Sequence, residues 1–438
     1  MSARRFRVAV IGSGPAGFYA AEALLRAGRE IRVDMFERLP VPYGLVRFGV
    51  APDHQKLKQV TAVFERIAAL PGFRFLGGVE LGAELPLAAL RSAYDAVILA
   101  TGAALGRRLG VSGEAMSGSH QASDFVGWYN GHPDHKDAVF DLSGESAVVV
   151  GHGNVALDVA RLLMKTPDEL RRTDIAAHAL EALAESRIRE VHVVGRGGPS
   201  QTRFAAKELQ EFTGLAACAP SVELADVDGH GFSPPAGADL ERQAAVALLR
   251  TFLEPQVGKP RRCVFRFHLQ PTALQGAGRV ERALFRRTTG EADPVAIDCG
   301  LVVASVGRRA APLTGAPYDE ARGVHANEGG RVVGSPGLYV CGWSKRGPSG
   351  TIGVNRACAV ETIEALLGDL DQLAGRPLAD AEALISAATQ RSGLIDFAAW
   401  RRIDAAEVAR GRGLGKPRDK YVSIEELFAA ARDEDIAC

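Results

Sequence analysis

Residues 7–37 read RVAVIGSGPAGFYAAEALLRAGREIRVDMFE, and no other stretch limits what this chain can fold into so tightly. Val8–Ile11 is an apolar run suited to a strand covered on both faces. Gly12, Gly14 and Gly17 follow at G-x-G-x-x-G spacing. Phe18–Ala27 then carries apolar residues at helical spacing, and Gly28 is placed to end that helix. Ile31–Phe36 predicts a second strand with Glu37 at its tip. Gly12 permits a tight turn out of the strand, Gly14 lets a pyrophosphate approach the backbone, and Gly17 lets helix and strand pack closely. The open N–H groups and the positive dipole end of the helix face the phosphates, and a carboxylate at the second strand tip accepts from a ribose diol. The stretch therefore predicts a dinucleotide bed, without saying which dinucleotide it holds.

The same theme recurs. Ser146–Val150 predicts a strand, and GHGNVALDVARLL places Gly151, Gly153 and Ala156 in the register of Gly12, Gly14 and Gly17; Ala is allowed at the third position. The next strand, Val191–Val194, ends on Gly195-Arg196 and not on an acid. Between the two beds, Gln55–Ala69 reads as helix and Phe73–Leu76 as strand. YDAVILA at 94–100 reads as a buried strand whose end, Thr101-Gly102, suits close approach to a ligand at the carboxyl edge of a parallel sheet. Downstream, Leu240–Phe252 reads as an amphipathic helix after a turn-rich loop at 228–237. Val264–Gln270 and Arg279–Arg287 read as a hairpin, and Ile297–Val306 as a buried strand. Another strand, GLYVCG, ends on Gly342-Trp343, and Gly350-Thr351-Ile352-Gly353 opens a helix from Val354. These last elements lie too far downstream to form a third bed. They predict a first domain split into residues 1–105 and 318–438, with a second domain, 106–317, inserted. The fold class is α/β, with two Rossmann-like domains.

The strand tips differ in a way that assigns the nucleotides. Glu37 suits a free ribose diol and repels a 2′-phosphate, whereas Arg196 suits a 2′-phosphate. The first bed is expected to hold FAD or NAD and the second NADP(H). Two sites of different preference suggest a flavin that stays and a nicotinamide that comes and goes, with hydride passing from nicotinamide C4 to flavin N5. Lys+Arg and Asp+Glu are 52 each, so net charge does not point to nucleic acid. No apolar run reaches the length of a membrane span, and MSARRF enters a strand with no room for a signal segment. Six cysteines are scattered without a C-x-x-C pair; this disfavours a redox disulfide, zinc or a cluster and fits reduced cytoplasmic thiols.

PVPYGLVRFGVAPDHQ, GHGNVALDVAR, the GR-x-GP-x-Q segment, GW-x-KRGP-x-G-x-IG-x-N and W-x-x-ID-x-x-E…GKPR at 400–418 resemble the adrenodoxin-reductase type of ferredoxin–NADP+ reductase, over nearly the whole chain. The resemblance implies FAD as the bound flavin, NADPH as the reductant, and a ferredoxin-like iron–sulfur protein as the partner, with a cytochrome P450 as a recipient beyond it. It implies that Gly12, Pro15, Ala16 and Gly17 cradle the FAD pyrophosphate and that Glu37 binds the adenosine ribose. Gly44, Leu45 and Val50 line the flavin, and Trp343 and Gly350-Thr351-Ile352 lie against its ring system. Gly153, Asn154 and Val155 meet the NADP pyrophosphate. His54 and Glu211 match a His–Glu pair near the flavin, and Glu208 lies beside the cofactor cleft. The family usually shows a second arginine where this chain has Gly197, and Arg203 is the candidate substitute. Arg242, Arg250, Lys259, Arg261 and Arg262 are basic candidates for docking an acidic ferredoxin. Competing readings are a disulfide reductase, which needs a cysteine pair, a flavin monooxygenase, a reductase of quinone or oxygen, and a non-catalytic nucleotide-binding subunit.

Overall fold

The computed structural model describes residues 5–82, 85–227, 231–234, 237–254, 256–289, 293–390 and 393–432. Residues 228–230 and 235–236 of the turn-rich loop, and Cys438, lie outside them. The chain forms two compact units. One takes residues 1–50, 54–105 and 308–438; the other takes 51–53 and 106–307. Residues 308–317 thus group with the first unit.

The first unit is built on a seven-stranded sheet. Strand β1 (Phe6–Ile11) is paired in parallel with β2 (Ile31–Glu37) on one side and β4 (Ala96–Leu99) on the other; β3 (Phe73–Gly77) extends the sheet beyond β2. Leu338–Val340 pairs in parallel with β4, more than 200 residues away in sequence, and two short antiparallel strands close that edge. Val8, Val10, Val33, Met35, Ile98 and Val340 are almost fully buried, as strands covered on both faces require. Helix α1 (Pro15–Leu25) and the long helix Val354–Leu373 share one core cluster over this sheet. Gln55–Ala69 is not one helix: Gln55–Lys58 and Thr61–Ala68 are separate.

The second unit repeats the scheme. Six parallel strands run in the order Ser119–Gln121, Leu301–Ala304, Ser146–Val150, Glu190–Val194, Arg261–Arg266, Cys218–Val222. A three-stranded antiparallel sheet of Leu269–Gln275, Arg282–Arg287 and Val295–Asp298 is added to it. Two sequence expectations are corrected here. The hairpin starts at Leu269: Val264 belongs to the parallel sheet, and the chain turns at His268, whose φ is +54°. Ile297–Val306 is two strands in two sheets, with the change of sheet at Cys299-Gly300.

Candidate functional site

The two glycine turns match atom for atom in their essentials. In the first unit the Gly12 N–H donates to the Phe36 carbonyl (2.8 Å), and in the second the Gly151 N–H donates to that of Val194 (2.8 Å). A Cβ on Gly12, whose φ is +104°, would lie 2.5 Å from the Ala100 carbonyl oxygen; one on Gly151, at φ +145°, would lie 2.2 Å from that of Ser305. Both positions are closed by the neighbouring strand end. Gly14 and Gly153 are the opposite case, because a Cβ on either would meet nothing within 4 Å. Nothing in the protein requires glycine there, so the space is left for something else. Gly17 returns to the closed type: its Cβ would sit 2.1 Å from the Gly12 carbonyl oxygen.

Gly14 and Gly153 are N-caps of helices that lack any side-chain cap, and so is Gly353 before Val354–Leu373. Thr166, Asp239, Asp380 and Asp396 cap some of the other helix starts, and those at Pro86 and Ala176 are likewise without a side-chain cap. The helix starts at Gly14 and Gly153, with small N-caps and open leading N–H groups, are suited to anions, whereas the N–H groups of Val354, Asn355 and Arg356 already donate to the carbonyls of Thr351, Ile352 and Gly353. Pro15, at the first helical position, removes one donor and fixes the turn. Ala16 is buried against Gly342, where φ is +71° and a Cβ would approach the Ala16 methyl to 2.5 Å. Thr101, at the end of β4, carries an Oγ1 that is buried with no hydrogen-bond partner among the described residues, and Gly102 beside it faces open space. An open cradle at Gly14, an uncapped helix and an orphaned hydroxyl fit a dinucleotide.

Glu37 stands at the tip of β2 and is half-buried. Its Oε2 accepts from the Ser13 N–H (3.1 Å) and hydroxyl (2.7 Å), and its Oε1 accepts from the Leu39 N–H (3.1 Å). Of the roughly four acceptor sites on a carboxylate, one remains for a ribose hydroxyl. No sequence pattern links Ser13 to Glu37, 24 residues on. Tyr43 and Gly44 both have positive φ, +85° and +49°, and a Cβ on Gly44 would lie 3.2 Å from the Gly14 Cα. This brings the Gly44 turn onto the glycine turn. Leu45 and Val50 are half-buried at the ends of a one-turn helix, with the Val50 N–H donating to the Leu45 carbonyl (2.8 Å). His54 occupies the N-cap position of Gln55–Lys58, with no side-chain bond to that helix. Trp343 is half-buried and donates from Nε1 to the Ser349 carbonyl (3.2 Å); Gly350 has φ +78°, Thr351 is exposed, and Ile352 packs on the core.

In the second unit Asn154 accepts at Oδ1 from the Ala205 N–H (2.9 Å), so its side chain ties down the loop while its N–H stays at the helix start. Val155 is exposed beside it. Arg196 and Arg203 are both exposed, and the Arg203 N–H donates to the His152 carbonyl (2.8 Å). His152 escaped the sequence reading. Its Nε2 lies 3.3 Å from the Val193 carbonyl, its ring packs between Phe204 and Phe267, and a Cβ on Gly195 would overlap it. Burial pushes it down to about 4, so the ring is neutral near pH 7.

Glu208 and Glu211 converge on Arg161, which the sequence reading also missed. Its side chain is fully buried and receives four carboxylates: Asp53 (2.8 Å), Asp158 (2.7 Å), Glu211 (3.3 Å) and, more loosely, Glu208 (3.9 Å). Lys165 also reaches Asp53 (3.0 Å). Burial alone would lower the Arg161 guanidinium, but Asp158, Asp53 and Glu211 together hold it above its ordinary value. A signal was present: Leu157, Arg161 and Met164 share one helical face, and that face is buried. The basic docking candidates are mostly committed inside the unit. Arg242 donates to the Thr202 carbonyl, Lys259 to Leu215 (2.5 Å), Arg261 to Lys165 (3.0 Å), and Arg262 pairs with Glu190. Arg250 is exposed.

Two matched beds with oppositely charged strand tips define a two-dinucleotide oxidoreductase of the α/β class. Residues 6–197 match the pyridine nucleotide-disulphide oxidoreductase family. The chain is 42% identical to NADPH-ferredoxin reductase FprA of Mycobacterium tuberculosis over 97% of this chain and 99% of that one. It is 38% identical to the mitochondrial NADPH:adrenodoxin oxidoreductase of Salvelinus fontinalis, over 97% and 91%. The solved structure of M. tuberculosis FprA in complex with NADPH superposes with a TM-score of 0.93 at 40% identity, covering 98% of this chain and all of that one. The chain belongs to the adrenodoxin-reductase-type ferredoxin–NADP+ reductases. No helix among the described residues is long and apolar enough to cross a membrane.

Proposed function

We propose that this chain is an FAD-dependent reductase that takes hydride from NADPH and delivers single electrons to a ferredoxin-type iron–sulfur protein. One observation carries the assignment of the cofactors: the beds share their turn geometry, yet their second strands end on Glu37 in one and Arg196 in the other. A carboxylate admits a ribose diol, and a guanidinium admits a 2′-phosphate. FAD thus stays in the first unit and NADP(H) visits the second. Bound flavin supplies the redox chemistry, accepting hydride at N5 from nicotinamide C4 and releasing electrons one at a time.

The chain's own residues bind and orient. Gly12, Gly14, Pro15, Ala16 and Gly17 form the pyrophosphate cradle, Glu37 takes one ribose hydroxyl, and Thr101 offers its unpaired hydroxyl beside Gly102. Gly44, Leu45 and Val50 form one wall for the ring system. Gly342, Trp343 and Gly350-Thr351-Ile352 form the other, and the positive dipole end of Val354–Leu373 favours negative charge there. In the second unit Gly153, Asn154 and Val155 present backbone N–H groups to the NADP pyrophosphate, with Arg196 and Arg203 at the 2′-phosphate. Hydride transfer between two bound rings needs no protein acid or base, so His54, Glu208 and Glu211 work as positioning groups. A cytochrome P450 beyond the iron–sulfur protein and a cytoplasmic location complete the reading; the latter is supported by five free, buried cysteines.

The purified protein should be yellow, and anaerobic NADPH should bleach it. Turnover should rise with a ferredoxin well beyond the rates with quinone or oxygen. A colourless preparation that takes up no FAD would overturn the flavin reading. Bleaching without acceleration by any iron–sulfur protein would overturn the acceptor.

A further inference from the structure

The segment that carries Gly44, Leu45 and Val50 cannot hold its own shape. Its helix, Leu45–Phe48, is one turn long, and a single turn is unstable by itself. The two residues before it, Tyr43 and Gly44, both have positive φ, a conformation that a tyrosine keeps only under outside constraint. The Tyr43 N–H donates to the Ser13 carbonyl (3.0 Å) and its ring packs on Phe18 and Phe64; the side-chain constraint on the helix turn itself comes from the C-terminal helix Phe397–Gly413 of the same unit. Arg47, buried, donates from Nη1 and Nη2 to the two oxygens of Glu407 (2.9 and 2.5 Å). Its guanidinium also lies over the Trp400 ring at 5.3 Å, and Trp400 Nε1 reaches the Tyr43 hydroxyl at 3.4 Å. Glu407 is completely buried. It accepts in addition from Arg418 Nη1 (3.0 Å) and the Tyr421 N–H (3.0 Å), so its lone pairs are filled from both sides. Burial alone would raise its carboxyl, but Arg47 and Arg418 hold it below the ordinary carboxylate value. Gly411 makes the second side possible, since a Cβ there would lie 2.4 Å from the Arg418 Cα.

We propose that Glu407, backed by Arg418, is a positioning residue for the flavin: through Arg47 and Trp400 it fixes the Tyr43–Val50 turn against which the ring system rests. The C-terminal tail would thus shape the cofactor pocket through the turn it holds. This rests on the assignment of FAD to the first unit. A buried carboxylate with two guanidinium partners is more than fold maintenance requires, because a well-packed apolar group would hold the helix as firmly. What the ion pair adds is direction: a bidentate fork fixes the orientation of Arg47 and with it the turn.

The test compares Glu407→Gln and the milder Arg418→Gln with Asp369→Asn, which removes a carboxylate of the same unit paired to Arg331 and Tyr339. Three quantities are read on each: FAD dissociation constant by fluorescence, flavin midpoint potential, and melting temperature of the FAD-free protein. The clamp predicts FAD weakened about tenfold or more in Glu407→Gln and several-fold in Arg418→Gln, with shifted potential and visible flavin bands in both. Asp369→Asn should stay within about twofold of wild type. Arg418→Lys should recover most of the affinity. If Glu407→Gln fails to fold, Arg418→Gln, which leaves the Arg47–Glu407 fork in place, decides. Variants that melt earlier yet bind FAD with wild-type affinity, potential and spectrum would overturn the clamp while leaving the FAD site intact. Wild-type protein that binds no FAD would overturn the cofactor assignment itself.

Discussion

Substituting Gly14 and Gly12 by alanine, one at a time, separates what the glycine turn does for the fold from what it does for a ligand. At Gly14 the backbone is at φ −74°, ψ −179°, which alanine adopts without strain, and the new methyl meets nothing within 4 Å. Replacing glycine in a compatible conformation stabilises by about 0.4–1 kcal/mol through the unfolded chain, and losing a glycine N-cap costs a few tenths. The FAD-free protein should therefore stay within about 0.5 kcal/mol of wild type. A phosphate seated in that space has no such freedom. Displacing it from two charge-assisted N–H contacts at roughly 1.5 kcal/mol each gives about 3 kcal/mol, or about a hundredfold in affinity. At Gly12 the same methyl meets the Ala100 carbonyl oxygen at 2.5 Å with φ at +104°, so strain and overpacking together should destabilise by roughly 3–5 kcal/mol. Urea unfolding of the FAD-free proteins and fluorescence titration with FAD measure both quantities. The reasoning fails if Gly14→Ala binds FAD like wild type, or if it destabilises as much as Gly12→Ala.

Arg196→Ala should raise the apparent KM for NADPH at least tenfold more than that for NADH; equal effects in steady-state kinetics would remove Arg196 from the 2′-phosphate. Arg161→Met removes the buried cation from four carboxylates, and by the usual penalty for an unpaired buried charge it should destabilise by about 3–5 kcal/mol, seen as a large fall in urea midpoint. His152 gives a pH dependence of defined sign: its folded value, about 4, lies below its unfolded 6.5, so the unfolded chain takes the proton first. Stability is unaffected above pH 6.5 and falls as pH drops from 6.5 toward 4, by up to about 3 kcal/mol at the usual 1.36 kcal/mol per unit. The stability of wild type relative to His152→Gln should fall by up to about 3 kcal/mol over that window in denaturation curves, and a pH-independent difference would show that the ring is not held neutral.

What was legible in the sequence was local. Gly12, Gly14 and Gly17 and their repeat at 151–156 declare themselves because turn, helix start and close packing each demand glycine or alanine at a fixed offset from a strand. Misreadings arose where local pattern and tertiary environment diverge. Phe265, Phe267 and Leu269 alternate as one strand would, and nothing in that alternation shows that His268 turns the chain from one sheet into another. Ile297–Val306 reads as one run because Ile297, Cys299 and Leu301–Ala304 are all buried, although the two strands they belong to lie in different sheets. Distant partnerships were out of reach: Arg47 and Glu407 are 360 residues apart, and no period or motif joins them.

Glu211 illustrates how the structure changes the meaning of a residue that motif alone had placed. As a member of a His–Glu pair it is expected only to lie near the flavin. In place, it is one of four carboxylates on a single buried guanidinium, with Lys165 also paired to Asp53, so among these six side chains the carboxylates outnumber the cations by two. A surplus fixed by a fully buried arginine cannot relax by side-chain motion as a surface cluster would, and it imposes a standing negative potential on the second unit. Such a field favours the positively charged oxidised nicotinamide over its neutral reduced form. The expected signature of Glu211→Gln or Glu208→Gln is a shift in the ratio of NADP+ to NADPH affinity with little change in the pH profile. That outcome separates a charge that biases binding from a group that shuttles protons, and an ionisation lost from the pH–rate curve would refute the charge-bias reading.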